Sequence, residues 1–310
     1  MKINGHEIEV QHLDKIFFPN VGLTKGDLMD YYEAVADIMV PHMKRYPVSM
    51  QRFPDGLKGS GFFNKDTPDY FPDWIKTVKF PRREGGNFSA PIVDSKAALI
   101  FLADQAVITP HLYLSRVDDL EHPDKMIYDL DPPENTHDYD KVRTAALDIR
   151  EVMEELNLTA FVQTTGSQGF HVVIPLDRSE DFDLVRDFAQ KVARILIRRK
   201  EDTYTLEDRI KKRKGRIFLD TLRNSYGATA VSPYAVRARP EASVATPIYW
   251  DEVEGGVNPR DWTIQNLPDR LADKEDPWKD MMRHAQKLDS HRDELQRLLL
   301  KELPAAEEKN

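Results

Sequence analysis

The chain has 310 residues, enough to bury a sizeable core in one or two domains. It contains no cysteine, which excludes disulfides, thiolate zinc sites and a cysteine nucleophile. The net charge of −9 argues weakly against a nucleic-acid partner, although the distribution of charge matters more than its sum. No apolar run is long enough to span a membrane and the N-terminal residues are too polar for a secretory signal, so we expect a cytoplasmic protein.

Apolar spacing and capping residues predict helices and short strands that alternate along much of the chain. Thr24 and Asp27 form the pattern of a capping box, and the helix that follows is predicted to end at Pro41. Other helices are predicted over 95–105, 139–156, 182–200 and 277–303, and strands within 47–93, 113–117, 125–130, 160–176, 216–222 and 228–231. Short strands with hairpin-like neighbours favour an α+β fold, in which a mainly antiparallel or mixed sheet is flanked by helices.

Asp129 and Asp131 follow an apolar run and precede two prolines. Alternate side chains of a strand share a face, so both carboxylates should project together where the strand ends. A divalent cation is the usual remedy for their repulsion, and the alternative is a polar turn. Asp220 ends another apolar run and could complete a site for two cations suited to phosphoryl transfer, unless it is simply a turn residue.

Residues 164–171 (TTGSQGFH) combine two glycines with polar side chains. The glycines permit a tight turn whose backbone N–H groups can bind an anion. The hydroxyls of Thr165 and Ser167 add donors, and His171 could reach a phosphate. The alternative is an ordinary hairpin turn with a satisfied histidine.

Arg223, Arg237 and Arg239 form a further cluster. A guanidinium group matches phosphate oxygens with two parallel hydrogen bonds. Arg237 and Arg239 would share one face of an extended segment, and the alternative is a solvated edge strand.

The segment 209–216 (RIKKRKGR) is strongly basic although the whole chain is acidic. A solvated loop is the usual explanation of such a run. This one leads into the strand that carries Asp220, and a basic loop beside a metal site suits the phosphates of DNA. Arg82 and Arg83 form a smaller basic patch.

Phe62 and Phe63 are consecutive, and consecutive residues of a strand face opposite sides. One ring is therefore expected to be exposed and able to stack on a base. Packing in the core is the alternative.

Together and in order, these motifs resemble the polymerase domain of bacterial DNA ligase D and its stand-alone archaeal relatives, within the archaeo-eukaryotic primase superfamily. The resemblance is carried by LSRVDDLEHPDKMIYDLDPP (114–133), TTGSQGFHVVIPL (164–176) and RIFLDTLRNSYGATAVSPYAVRARP (216–240), with LDKIFFP, LTKGDLMDYYEAVA and GFFNKDTP nearer the N-terminus. It implies a single primase-polymerase domain with a primase-like core and a smaller N-terminal module. The expected limits are 1–305 for the domain, 1–93 for the module that contacts DNA ends, 94–270 for the catalytic core, 271–305 for a C-terminal helix and 306–310 for a tail.

The resemblance, with the patterns above, implies a role for each candidate residue. Metal binding and catalysis fall to Asp129, Asp131 and Asp220. Nucleotide binding falls to His111, Thr165, Ser167, Gln168, His171, Arg237 and Arg239. DNA contacts fall to Lys15 and Lys25 (at a 5′-phosphate), and to Arg52, Phe62, Phe63, Arg82, Arg83, Arg209, Lys211, Lys212, Arg213 and Lys214.

The activity implied is repair by nonhomologous end joining. NTPs, in preference to dNTPs, would be added to a primer 3′-hydroxyl at gaps and 5′-phosphorylated breaks, with two divalent cations, Mn²⁺ in preference to Mg²⁺. Expected partners are DNA, a Ku-like end-binding protein and a separate ligase. The protein is expected to be associated with the nucleoid. It is expected to be a monomer when free and able to form an end-bridging dimer on DNA. Two positions depart from the family: Gln168 stands where lysine is common, and Thr165 where serine is frequent.

Two other functions stay open on the residues alone. A metal-dependent phosphatase could use the Asp-x-Asp pair, but the downstream acidic motif of such enzymes is not found. A non-catalytic DNA-end adaptor would not need three acidic positions, all of which are occupied here.

Overall fold

The computed structural model describes residues 1–133 and 138–302. Its helices are α1 Lys25–Met43, α2 Lys96–Asp104, α3 Tyr139–Glu155, α4 Phe182–Arg199, α5 Trp250–Glu254, α6 Leu267–Asp273 and α7 Arg292–Lys301. Its strands are β1 Lys2–Ile3, β2 His6–Glu7, β3 Ile16–Phe18, β4 Leu23–Thr24, β5 Val48–Arg52, β6 Phe62–Asn64, β7 Thr77–Pro81, β8 Asn87–Pro91, β9 Val107–Tyr113, β10 Ser115–Arg116, β11 Asp119–Pro123, β12 Lys125–Asp131, β13 Phe161–Thr164, β14 Phe170–Pro175, β15 Tyr204–Thr205, β16 Ile217–Asp220, β17 Thr229–Val231 and β18 Pro247–Ile248.

The two larger sheets contain six and four of the described strands, and the other described strands form two-stranded sheets. The central sheet has the order β15-β16-β12-β14-β13-β18, and its β12 is antiparallel to both neighbours. The pairing of β15 with β16 is parallel, so this sheet is mixed. The second sheet has the order β17-β9-β5-β6 with antiparallel pairs. The predicted α+β fold with a mainly antiparallel sheet is confirmed.

One face of the central sheet is covered by helices. Met126, Tyr128 and Leu130 alternate along β12 and share a buried core with Val142 of α3 and Val185 of α4. Each buried aliphatic side chain of this kind contributes about 1.5–3 kcal/mol. Because successive residues of a strand point to opposite faces, the residues between these three must project from the opposite face.

The N-terminal part of the chain packs around α1. Thr24 accepts a hydrogen bond from the Asp27 amide, and Asp27 in turn accepts one from the Thr24 amide, which is the predicted capping box. The predicted end at Pro41 is wrong, since the helix continues to Met43. A proline lacks the N–H that would bond to the preceding turn. The last turn of this helix tolerates the loss because the side chains of Met39 and Met43 are fully buried and hold it against the core.

Two other predicted elements are wrong in extent. The strand predicted at 113–117 falls on the last residue of β9 and on the two-residue β10, whereas most of β9 lies before it and was not predicted. Pro110 lies in the interior of β9, where proline is unusual. The helix predicted over 277–303 forms only at α7 within the described residues. The segment before it is held instead by tertiary bonds, since Trp278 donates to the Val162 carbonyl and the Gln286 amide to the Pro175 carbonyl.

Parts of the expected C-terminal helix and tail, at 303–310, lie outside the described residues. Over the residues that are described, none of the helices has the length and apolar character needed to cross a bilayer. The domain limits stay a prediction.

Candidate active site

A row of polar side chains crosses the face of the central sheet opposite α3 and α4. Asp129 on β12 is paired with Asp220 on β16 to one side and with His171 on β14 to the other. His171 is paired in turn with Gln163 on β13. Cross-strand neighbours have Cβ atoms about 4.5–5.5 Å apart, so the register sets these four groups side by side.

Asp131 lies two residues beyond Asp129 and shares its face. Burial, together with the charges of Asp129 and Asp220, raises the pKa of Asp131 to about 7. Burial and the Asp129 charge also raise the pKa of Asp220. Burial alone would raise the pKa of Asp129, but His171 and Arg223 hold it well below its usual value. The three carboxylates therefore carry more negative charge than their surroundings balance.

Arg223 lies between two of these carboxylates. Its Nε is 3.0 Å from Asp129 Oδ2 and 3.7 Å from Asp220 Oδ2. The side chain keeps 41% of its surface exposed, so it can leave toward solvent. Within residues 1–133 and 138–302, the acidic and histidine side chains form no ready-made group of three metal ligands. A guanidinium thus provides the positive charge that the sequence assigned to a metal.

The donor set fits a divalent cation nonetheless. Carboxylate oxygens are the preferred ligands of Mg²⁺ and Mn²⁺. The raised pKa values of Asp131 and Asp220 reflect repulsion that such a cation would relieve. Asp129, Asp131 and Asp220 are the residues that would hold it, with Arg223 displaced.

The turn between β13 and β14 depends on two glycines. Gly166 has φ +60°, in the left-handed region, and an added Cβ would meet backbone atoms of Val244 and Ala245 at 2.7 and 2.8 Å. A Cβ on Gly169 would fall 1.7 Å from the Leu130 carbonyl oxygen. The turn is therefore pressed against the strand that carries the carboxylates.

Side chains of the turn residues stabilise it from within. The Thr165 hydroxyl donates to the Gly169 carbonyl at 3.0 Å and accepts from the amides of Ser167 and Gly169, each at 3.2 Å. Ser243 donates to the Gly166 carbonyl at 2.6 Å. Gln168 is half-buried in the same turn. The Thr165 hydroxyl is thus occupied in holding the turn, while its predicted nucleotide contact stays a prediction.

Arg237, Arg239 and Arg260 contact this turn. Arg237 donates to the Thr165 carbonyl at 2.5 Å, Arg239 to the Ser167 hydroxyl at 2.6 Å, and Arg260 to the Ser167 carbonyl at 2.6 Å. Burial and the neighbouring guanidinium groups lower the pKa of Arg237 to about 10, which leaves it charged at neutral pH. The sequence analysis did not find Arg260, because nothing in its local sequence links it to a turn about 90 residues earlier.

Two histidines face the same space. His171 Nε2 is 3.4 Å from Asp129 Oδ1, and its Nδ1 is 3.1 Å from Gln163 Nε2. An amide N–H can only donate, so His171 Nδ1 accepts and Nε2 carries the proton. Gln163 was also missed; only the strand register could have revealed it.

His111 comes from β9 of the second sheet. Its ring meets the edge of Phe63 with centroids 5.3 Å apart. Burial and the charges of Arg237 and Arg223 lower its pKa well below the usual value, so the ring is neutral. Its Nε2 has no hydrogen-bond partner among the side and main chains that the structure describes. Among the described residues, His111 therefore contributes a neutral imidazole with a buried, unpaired nitrogen.

Both phenylalanines of the expected base-stacking pair are exposed, Phe62 at 47% and Phe63 at 55%. The sequence predicted one exposed ring, with core packing as the alternative, and the structure exposes both. The reason is that β6 is the edge strand of the second sheet and is short, so neither of its faces is fully covered. The guanidinium of Arg52 lies 5.7 Å from the centre of the Phe62 ring.

The two lysines expected at a 5′-phosphate lie in different surroundings. Lys15 is partly exposed and its Nζ bonds to Asp55 at 2.7 Å. Lys25 is buried and its Nζ bonds to Asp104 at 2.5 Å and to the Gln11 carbonyl at 2.7 Å. Lys15 Nζ also donates to the Pro54 carbonyl at 2.6 Å, so the two ammonium groups have two partners each and Lys15 is only the more exposed. The phosphate contact of both lysines stays a prediction.

The basic segment is not uniform. Arg213 turns inward, with its guanidinium 4.3 Å from the centre of the Phe218 ring and bonds to the carbonyls of Glu207 and Asp208. Phe218 is paired with Asp131, so the loop lies beside the carboxylates. The outward residues of the loop are exposed, namely Arg209, Lys211, Lys212 and Lys214.

The smaller basic patch lies on another surface. Arg82 rests on the Phe88 ring at 5.4 Å, and Arg83 on the Tyr226 ring at 5.0 Å. Both side chains are exposed, and their DNA contacts stay predictions.

The chain as a whole matches a known family. The model of the LigD primase-polymerase domain matches residues 24–278, and the chain belongs to this family. The polymerase domain of Mycobacterium tuberculosis ligase D, solved in complex with DNA, superposes with a TM-score of 0.84 at 27% identity, over 90% of this chain and 99% of that one.

Whole proteins of other bacteria are similar over most of this chain. The multifunctional nonhomologous end joining protein LigD of Pseudomonas aeruginosa is 30% identical over 88% of the chain, which spans 32% of that protein. The bifunctional LigD of Bacillus subtilis is 28% identical over 90% of the chain, which spans 45% of it. The chain therefore spans less than half the length of these relatives.

Proposed function

We propose that this chain is a nucleotidyltransferase that extends a primer 3′-hydroxyl at DNA gaps and breaks during nonhomologous end joining. One observation carries the proposal: on one sheet face, an excess of carboxylate charge at Asp129, Asp131 and Asp220 lies beside a turn held by guanidinium groups. Nucleotidyl transfer needs both, since cations at the reacting oxygens and donors for the triphosphate act together. Membership of the LigD primase-polymerase family supports the same reaction.

The three aspartates would hold two divalent cations, with Mn²⁺ preferred over Mg²⁺. Cations bound there would lower the pKa of the primer hydroxyl and would stabilise the departing pyrophosphate. Arg237 and Arg239 orient the triphosphate against the turn through charge-assisted hydrogen bonds. Ser167 and Gln168 present polar groups at the same turn, and the neutral His111 ring offers a further hydrogen-bonding nitrogen.

DNA would lie across the exposed groups around this centre. The Phe62 and Phe63 rings stack on bases, because both are exposed at a sheet edge close to His111. The outward cations of the 209–214 loop neutralise backbone phosphates beside Asp131. The M. tuberculosis domain was solved with DNA, which supports a DNA partner here.

Partners follow from the chemistry that this domain does not itself perform. Sealing the extended strand needs a ligase, and holding two ends together needs an end-binding protein of the Ku type. Ribonucleotides are the preferred substrates in this proposal.

The test is extension of a 5′-phosphorylated gapped duplex, with NTPs and dNTPs compared in Mn²⁺ and in Mg²⁺. We expect template-directed addition with pyrophosphate release, faster with NTPs. Steady phosphate release from a small phosphoester, without pyrophosphate, would instead indicate a phosphatase. Binding to phosphorylated ends without addition in any metal would indicate an adaptor.

A further inference from the structure

A cavity of about 630 Å³ lies beside the row of polar residues, on the same face of the central sheet. It forms where the end of α1, the second sheet and residues 271–282 meet. Its lining includes Gln163 but none of the three carboxylates of the active site. The volume is in the range of pockets that hold small organic ligands.

The floor of this cavity is apolar. Ile127 and Val173, paired across β12 and β14, supply the central-sheet side. Val231, Trp278 and Met281 close it from the second sheet and the C-terminal segment. Such a surface favours an apolar ligand body, because burying it on both sides removes apolar area from water.

One end of the cavity holds more positive than negative charge. Arg116 and Lys125 both line it and share a single buried carboxylate, Asp124, with Arg116 Nε at 2.7 Å and Lys125 Nζ at 3.5 Å. The Tyr46 hydroxyl also bonds to Asp124, and burial raises the pKa of Tyr46, so it adds no negative charge. Lys125 Nζ also lies 3.9 Å from the centre of the Tyr46 ring, so two cations share one carboxylate and one ring, and their remaining positive charge attracts an anionic group.

The other end offers a hydrogen-bond acceptor. Gln163 is buried, its amide nitrogen is bonded to His171, and its Oε1 has no partner within residues 1–133 and 138–302. An unpaired buried carbonyl is unfavourable, and a donor on a ligand would satisfy it. Gln163 is aligned across the sheet with Asp129, because both are paired with His171. Asp129 lies four residues after Lys125 on β12, so the two ends of the cavity are about 13 Å apart along the strand direction.

We propose that this cavity binds an amphipathic organic anion. The ligand has an apolar body of two or three rings, one anionic group that reaches Lys125, and one N–H or O–H donor that reaches Gln163. Because Gln163 also bonds to His171, the occupant lies one hydrogen bond away from the active site. This site is separate from that of the nucleotide and goes beyond the proposed function.

The test uses two fluorescent probes that bind without any reaction. 1-Anilinonaphthalene-8-sulfonate carries two ring systems and a sulfonate, which test the apolar floor and the Lys125 end, and N-phenyl-1-naphthylamine is the same body without the sulfonate. We expect the sulfonate probe to bind the native protein once per chain. Lys125→Met should weaken it about tenfold, the worth of one charged contact, and should change the neutral probe by less than about twofold. Arg116 and Asp124 remain as a neutral pair in this variant.

Further variants tie the binding to the cavity. Ala230→Phe fills the space and should weaken both probes at least about tenfold. Lys79→Met, at an exposed lysine outside the cavity, should change neither. Thermal unfolding checks that each variant is folded.

Several results would overturn the proposal. The first is that the sulfonate probe does not bind the wild type saturably. The second is that both probes bind the Ala230→Phe variant as tightly as the wild type. The third is that Lys125→Met lowers the affinity for both probes equally. Displacement of the sulfonate probe by a 5′-phosphorylated duplex would place it on the DNA surface and would also overturn the proposal. None of these results depends on polymerase activity, so a failure here is distinct from failure of the proposed function.

Discussion

The two halves of the active site are built differently. At the turn, most polar groups already have partners: Thr165 bonds within the turn, and Arg237, Arg239 and Arg260 bond to its carbonyl and hydroxyl oxygens. At the carboxylates, the partly exposed Arg223 is the cation that neighbours Asp129. The raised pKa of Asp131 shows that its negative charge is not fully compensated. The turn half is preorganised by the fold, whereas the carboxylate half is completed only by what it binds.

The largest expected effect comes from the carboxylate half. We expect Asp129→Ala to lower primer extension by at least about 10³-fold, since it removes a ligand proposed for both cations. The exposed Asp69→Asn should leave the rate unchanged. Extension rates on a gapped duplex measure both variants.

The same variant separates chemistry from binding. Asp129 is buried and is not among the exposed rings and cations proposed to contact DNA, so affinity for 5′-phosphorylated DNA should stay within about twofold of wild type by fluorescence anisotropy. Full extension activity in the Asp129→Ala variant would be incompatible with the proposed metal ligands.

Gly169→Ala tests whether the turn half is preorganised. A Cβ would lie 1.7 Å from the Leu130 carbonyl, so the turn must move away from β12. We expect a cost of about 3 kcal/mol and a melting temperature lower by roughly 5–10 °C. Nucleotide affinity should fall with it.

The control for this variant is Gly255→Ala, at the end of α5, where the backbone is in the right-handed helical region. Its melting temperature should change by less than about 2 °C. Equal melting temperatures for the two variants would show that the turn adjusts freely and is not preorganised.

Arg260 tests the contribution of a residue that contacts the turn from far along the chain. Arg260→Met removes the bond to the Ser167 carbonyl and one positive charge. We expect the KM for the nucleotide to rise about tenfold, with kcat changed less, because the residue positions the turn and does not touch the reacting atoms. Arg292→Met, at an exposed arginine on α7, is the matched control, and an unchanged KM in the Arg260→Met variant would remove Arg260 from the site.

The sequence alone predicted the local position of several site residues better than it predicted which residues contact each other across the fold. Period-two alternation and the following prolines placed Asp129 and Asp131 on one face of a strand end, where the structure has them. The pairing of Asp129 with Asp220 depends on strand register, which local patterns do not specify. Gln163 and Arg260 were missed for the same reason.

The fold shows the same division between local and long-range information. Capping residues placed the starts of α1 and α2 well, because a cap is a local hydrogen bond. The segment before α7 was wrongly predicted as helix, because tertiary bonds such as that of Trp278 to the Val162 carbonyl outweigh its helical pattern.

The smallest expected effect concerns the charge imbalance itself. Asp131 has a pKa of about 7 in the folded chain and about 3.9 when unfolded. The folded state therefore keeps a proton that the unfolded state releases, and the free energy of unfolding falls as pH rises from about 4 to 7. In EDTA, we expect Asp131→Asn to remove on the order of 1 kcal/mol of this fall between pH 5 and 8, as measured by urea unfolding.

A bound cation should reverse the trend, because it favours the ionised carboxylates that the metal-free fold disfavours. Mn²⁺ should therefore raise the melting temperature of the wild type more at pH 8 than at pH 5.5, and much less in the Asp131→Asn variant at either pH. The exposed Asp69→Asn control should behave as wild type. If the wild type and the Asp131→Asn variant respond alike to pH and to Mn²⁺, then Arg223 already balances the carboxylates, and the two halves of the site are equally preorganised.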